Sequence, residues 1–276
     1  MKKLYILLVF FAFVCLSSCV DIEEHYNFRP DGSCRVQYGF DMSRALSVLN
    51  VLISDSVKST PQFSLVKDTS LNYFNTLPDS IVKKMSAEEV NTAKNSSLHI
   101  NMDLTKSKMK VNLDYLAKTP ADLVYYLDHV SAFSVKVPQG EFLDPKQKEN
   151  VEFHDPNEKV VIKPQEFKDL KNDYKGELLL GGQDYYTYDI TPKKFSRVIN
   201  KTKFNNFLKG AGSRLAMAKA MLIDMPYKMV LKFAKPVKKV DNRKAIISAD
   251  RMQVTLVTSI DEVIKNPALM NLQIDF

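Results

Sequence analysis

Tryptophan is missing from this chain of 276 residues, glycine occurs eight times and cysteine three times. Three cysteines cannot staple a domain of this size, so stability must come from a packed core, which a chain of this length can build. Glycine this sparse leaves no phosphate-cradling loop. Gly210-Ala211-Gly212 lacks both the third glycine and a preceding strand. The four histidines are His25, His99, His129 and His154, and none stands four residues from another. With no H-E-x-x-H or C-x-x-C motif, no metal site is expected, and no cofactor. His25 beside Glu23 and Glu24 reads as a solvent-facing strand position rather than a ligand. Ser80-Ile81-Val82-Lys83 matches the S-x-x-K string of one serine hydrolase class, without its companion motifs. The chain is therefore read as more a binding protein than an enzyme, and no catalytic residue is assigned.

What is present begins at the N-terminus. Lys2 and Lys3 precede an apolar run from Leu4 to Val14. That run suits a secretory h-region and is too short to cross a bilayer, which takes ~20 residues. Leu16-Ser17-Ser18-Cys19 follows. These residues resemble the bacterial lipobox, a branched apolar residue and two small ones before a cysteine. The resemblance implies that 1–18 is a lipoprotein signal peptide, cut between Ser18 and Cys19, and that the Cys19 thiol carries the lipid. An ordinary signal-peptidase cut, or retention as an uncleaved anchor, are the other readings of the segment. Several acyl chains would hold the protein firmly, whereas one anchors only marginally. No later apolar run reaches spanning length, so residues 19–276 are expected outside the bilayer as one lipid-anchored domain. Asp21, Glu23 and Glu24 suit either the acidic stretch that directs Bacteroidota lipoproteins to the surface or the polar start of a strand. With Cys19 lipidated and Cys15 removed, Cys34 has no intrachain partner and reads as a small buried hydrophobe.

The mature chain carries 37 basic against 32 acidic side chains, a net of +5. Residues 192–251 hold sixteen Lys and Arg and three acids, which is +13 and leaves the remainder at −8. The candidate face for an anionic partner, a lipid head group, a glycan or an acidic protein, comprises Lys228, Lys232, Lys235, Lys238, Lys239, Arg243 and Lys244. A set of solvated faces paired with the acidic part of the same domain accounts for the charges more simply. The compartment disfavours nucleic acid.

Patterning predicts an α+β fold, an antiparallel sheet built from hairpins with helices packed on one face. Ile22, Glu24, Tyr26 and Phe28 alternate, Arg29-Pro30-Asp31-Gly32-Ser33 makes a turn, and Cys34, Val36, Tyr38 and Phe40 alternate again. Asp41 or Ser43 then caps a helix toward Val57. The order recurs: strands at Leu98–Leu104 and Met109–Tyr115, then a helix opened by Thr119 and Pro120. These make two strand-turn-strand-helix units. Helix is also predicted around Leu71–Leu77 and Ser80–Ala93. Residues 138–175 are charged, proline-rich and poor in apolar anchors, as expected of a surface excursion. Tyr185 to Tyr188 read as a strand whose tyrosines pack rather than bind sugars. Thr191-Pro192 repeats the cap-and-proline device of a helix start. Strands are predicted at Tyr227–Phe233, Ala245–Ser248, Met252–Thr258 and Leu272–Phe276, with a helix over Asp261–Met270.

Phe233-Ala234-Lys235-Pro236-Val237-Lys238-Lys239-Val240, an Asn-containing turn and Asn266-Pro267 before the last strand resemble the tail of a group of Bacteroidota envelope lipoproteins. Cys19 and the Tyr26–Gly32 hairpin extend the likeness to the other end. The resemblance implies an outer-membrane address, on the periplasmic face or cell surface, and carries no activity. The expected role is a membrane-tethered, non-enzymatic binding or interaction module. A hydrolase assembled from distant residues and a lipid or lipopolysaccharide carrier are the alternatives.

Overall fold

The computed structural model describes residues 21–52, 58, 66–134, 185–206, 208–209 and 226–276. The expected signal peptide over 1–18, Cys19, most of 53–65, the expected excursion at 138–175, His154 and Gly210–Gly212 lie outside the described residues.

The first hairpin forms as its alternation requires. β1 (Asp21–Phe28) pairs antiparallel with β2 (Cys34–Asp41), and Asp21 faces Asp41. Gly32 supplies the positive φ of +85° that the turn needs, and Asp31 accepts from the Ser33 amide at 2.9 Å and its hydroxyl at 2.7 Å. α1 (Ser43–Leu52) follows at once. Asp41 takes the Ser43 amide at 2.9 Å, while the Ser43 hydroxyl accepts from the Met109 amide at 3.1 Å.

The second unit repeats this order. β4 (Ser96–Asp103) and β5 (Lys108–Ala117) are joined by a tight turn at Leu104–Lys106, and α4 (Pro120–Ser134) follows. Thr119 and Asp122 form a reciprocal cap, the Asp122 amide donating to the Thr119 hydroxyl at 3.1 Å and the Thr119 amide to the Asp122 carboxylate at 2.9 Å. Before this unit stand β3 (Val66–Asn72), α2 (Asp79–Val82) and α3 (Ala87–Lys94). Leu71 is therefore not helical. It pairs with Leu98, because β4 presents an open ladder edge and β3 takes it.

A second correction falls at Thr191. β6 (Tyr186–Thr191) and β7 (Lys194–Ile199) pair antiparallel, with Thr191 opposite Lys194 and only Pro192-Lys193 between them. Proline presets φ for a turn as well as for a first helical turn, and here Phe195 to Ile199 extend as strand. The helix at 201–206 starts after β7 instead.

The remainder contains β8 (Pro226–Lys232), β9 (Lys239–Val240), β10 (Ile246–Ile247), β11 (Gln253–Ser259), α5 (Ile260–Lys265) and β12 (Leu272–Asp275). One sheet has eight strands in the order β10-β11-β8-β1-β2-β5-β4-β3, the other four in the order β6-β7-β12-β9. The fold is α+β, as the patterning predicts. Two features go beyond that expectation: the strands divide between two sheets, and β1 runs parallel to β8.

One core joins both sheets and α4. Val36, Leu231 and Val254 from the large sheet, Phe195 and Ile274 from the small one, and Leu123 and Leu127 from α4 are all fully buried. Each such side chain contributes about 1.5–3 kcal/mol on leaving water. A smaller cluster, Tyr73, Leu77 and Ala93, seals the space beside β4.

Candidate functional site

Alternation along β1 turns Ile22, Glu24 and Tyr26 inward, so it places a carboxylate among apolar side chains. Glu24 is fully buried, as is Arg197 on β7 of the other sheet. Their contact bridges the sheets: Arg197 Nη1 donates to Glu24 Oε2 at 2.8 Å. Tyrosines complete the shell. Tyr26 donates to Glu24 Oε1 at 2.6 Å, and Tyr227, which accepts from Arg197 Nη1 at 3.2 Å, donates to Oε2. The Tyr26 and Tyr38 hydroxyls lie 3.2 Å apart. The Arg197 guanidinium sits 4.5 Å from the Tyr186 ring centroid, a cation-π contact in a dry setting. Arg197 Nε and Nη2 and the Tyr126 hydroxyl have no hydrogen-bond partner among the described residues.

The electrostatics follow from this enclosure. Desolvation opposes the charge on Arg197, but Glu24 and then the surrounding tyrosines outweigh it and raise its pKa well above the ordinary guanidinium value. Burial keeps Tyr26, Tyr38, Tyr126 and Tyr188 neutral far above the usual phenol range and lifts Tyr186 to about 12. With both side chains at zero exposure, the pair is sealed from solvent. The arrangement fixes one sheet against the other, since breaking such a pair strands a buried charge at about 3–5 kcal/mol. Sequence reading put Glu24 on the inward face but missed Arg197. Its only signal was a lone arginine between Phe195 and Ile199, in a stretch that the Thr191-Pro192 device marked as helical.

Cys34 is buried as expected, and desolvation pushes its thiol up to about 12. Tyr186 and Tyr188 pack inward, also as expected. His25 meets Glu23 at 2.9 Å on the outer face of β1. His99 lies 3.6 Å from Asp68, and His129 contacts the Tyr125 carbonyl. No group of three potential metal ligands occurs among the described residues.

The basic segment is divided by the fold. Lys228 and Lys232 stand on the outer face of β8. Lys228 pairs with Glu23 at 3.2 Å, and Lys244 pairs with Glu262 at 2.7 Å. Lys238 donates to the Phe276 carbonyl at 3.4 Å. Lys232, Lys235, Lys239 and Arg243 are exposed without an ion-pair partner among the described residues. Two of the seven cations thus already face acids of the same domain.

A cavity of about 90 Å³ opens where the Arg29–Gly32 turn meets the Thr191-Pro192 turn, the start of α4 and the end of β8. No described helix is long and apolar enough to cross a membrane.

No family model matches the chain. No curated protein sequence matches it either. Among solved structures, the folded domain of the Mycobacterium tuberculosis LppM protein is similar at 5% identity, over 94% of this chain and 91% of that one, with a TM-score of 0.35. A likeness that slight transfers no function.

Proposed function

We propose that this protein is a bacterial envelope lipoprotein, held to the membrane by acyl chains on Cys19, whose α+β domain is a non-enzymatic interaction module. The observation that carries the reading is that β1 starts at Asp21, two positions after the lipobox cysteine. A strand that begins so close to a lipid leaves almost no tether, so the domain stands directly on its membrane. The outer membrane, on its periplasmic or outer side, is the address that the resemblance suggests.

Two observations favour a binding module over the alternatives. The buried polar cluster in which Arg197 meets Glu24 is sealed from solvent and serves the architecture. The described cavity, at about 90 Å³, is smaller than the ~150 Å³ that accommodates benzene, so it cannot hold a lipid chain. The exposed cations Lys232, Lys235, Lys239 and Arg243 supply charge for an anionic partner.

Cys19→Ala tests the anchor. Labelling with a clickable fatty acid should disappear and the protein should leave the membrane fraction, while persistent labelling of the variant would refute the lipobox. Co-sedimentation of the chain from Val20 onward with vesicles tests the basic segment. Anionic phosphatidylglycerol vesicles should retain it at low salt and release it as salt rises, whereas equal retention on phosphatidylcholine would remove the electrostatic component.

A further inference from the structure

β1 runs from beside Cys19 to Phe28, eight residues and roughly 25 Å of strand, so the Arg29–Gly32 turn lies at the opposite end of β1 from the lipid. This orientation rests on the lipoprotein reading; the chemistry of the cavity at that end does not. Its walls are apolar, from Phe28 in β1, Leu123 in α4, Ile190 in β6 and Ala234 after β8, with Cys34 in the lining. Two cations also line it, Arg29 and Lys235. Neither forms an ion pair among the described residues. Asp31, in the same turn as Arg29, is held by the amide and hydroxyl of Ser33 and feels the Arg29 charge without forming an ion pair with it. On the Phe276 side of the cavity the main-chain carbonyl receives Lys238. Lys118 and Lys193, each beside a lining segment, are exposed and add to the positive potential.

An apolar recess with two unpaired cations selects a ligand with a short hydrocarbon part and one negative charge. The recess has room for only a few heavy atoms, since a water needs about 10–15 Å³ by the same measure. We propose that this cavity binds a short-chain carboxylate, with its alkyl stem against Phe28, Leu123 and Ile190 and its carboxylate at Arg29 and Lys235. Inorganic anions lack the stem, and amines of the same length carry the wrong charge.

Cys34 offers a reporter inside the site. The full-length protein in detergent micelles is treated with methyl methanethiosulfonate at pH 8.5, where the buried thiol reacts only through transient openings that ligand binding suppresses, and modification is read by mass on the peptide carrying Cys34. Butyrate at ten times its dissociation constant should slow that modification about tenfold. Butylammonium, butanol and inorganic phosphate serve as controls and should protect far less. Ala234→Leu, which fills the recess, and the surface change Arg29→Gln should each remove the butyrate effect. The proposal is overturned if butyrate gives no protection or if butylammonium or butanol protects as well as butyrate. Equal protection by phosphate, or undiminished butyrate protection in Arg29→Gln, would overturn it too. None of these readouts depends on lipidation of Cys19, so a failure here leaves the anchor untouched, and the reverse holds.

Discussion

Arg197 and Glu24 lie 173 positions apart in the chain and 2.8 Å apart in space, at zero exposure, with one side chain from each sheet. Between them they set how the four-stranded sheet sits on the eight-stranded one. Aromatic rings enclose the pair and exclude water, so the attraction is strong but the cost of losing one partner is large.

Glu24→Leu should therefore lower the unfolding free energy by about 3–5 kcal/mol, because Arg197 keeps its charge and loses its counter-ion. Arg197→Met alone should do comparable damage. Glu24→Leu combined with Arg197→Met should recover much of the loss, since an apolar pair of similar volume needs no compensation. Urea unfolding of the three variants measures this. If the double variant is as unstable as the sum of the single ones, the pair is not a coupled unit.

Cys34 should stay unreactive at neutral pH in the folded protein, its thiol being raised to about 12 by burial. A group whose acid form is favoured by folding contributes stability that is complete below its unfolded pKa. That contribution declines above pH ~9, where the unfolded chain ionises first. Folded protein should thus lose stability across pH 9 to 12, and Cys34→Ala should flatten that slope. An identical slope in the variant would show that other groups cause it.

At the other end of the scale, Asp103 accepts from the Lys106 ammonium at 2.8 Å and from the Thr105 hydroxyl at 2.6 Å, and sits at about 2. Its depressed pKa contributes stability above pH ~4, which is lost as pH falls toward 2. Carbon-detected NMR should place its midpoint near 2 and show it rising in Lys106→Ala. A midpoint unchanged by that substitution would contradict the assignment to Lys106, the leading cause.

Gly32 is a backbone requirement rather than a packing one. Its φ is +85° and a Cβ there would meet nothing within 4 Å. Gly32→Ala should cost about 1 kcal/mol through left-handed backbone strain alone, and Gly32→Asn less. Thermal melts of the two variants separate this from a clash, which would penalise asparagine more.

The local patterns were legible wherever a period of two and its turn chemistry agreed. Ile22 to Phe40 read as a hairpin, and Thr119-Pro120 as a helix start, because each rests on neighbours within a few residues. Leu71 and Thr191 misled for the same reason. β3 has little apolar alternation of its own and is a strand because β4 leaves an edge to fill. Thr191-Pro192 has the chemistry of a cap and equally of a turn, and the choice depends on β7 finding β12.

The Leu16–Cys19 string, the hairpin units and the charge imbalance of 192–251 are properties of the chain itself, since residue order, strand alternation and net charge are set over short stretches. Partnership between Arg197 and Glu24, the parallel seat of β1 beside β8 and the cavity between Arg29 and Lys235 belong to the tertiary structure alone. Each joins segments far apart in sequence, and burial, which turns an ordinary arginine and glutamate into a dry ion pair, exists only once the two sheets have closed.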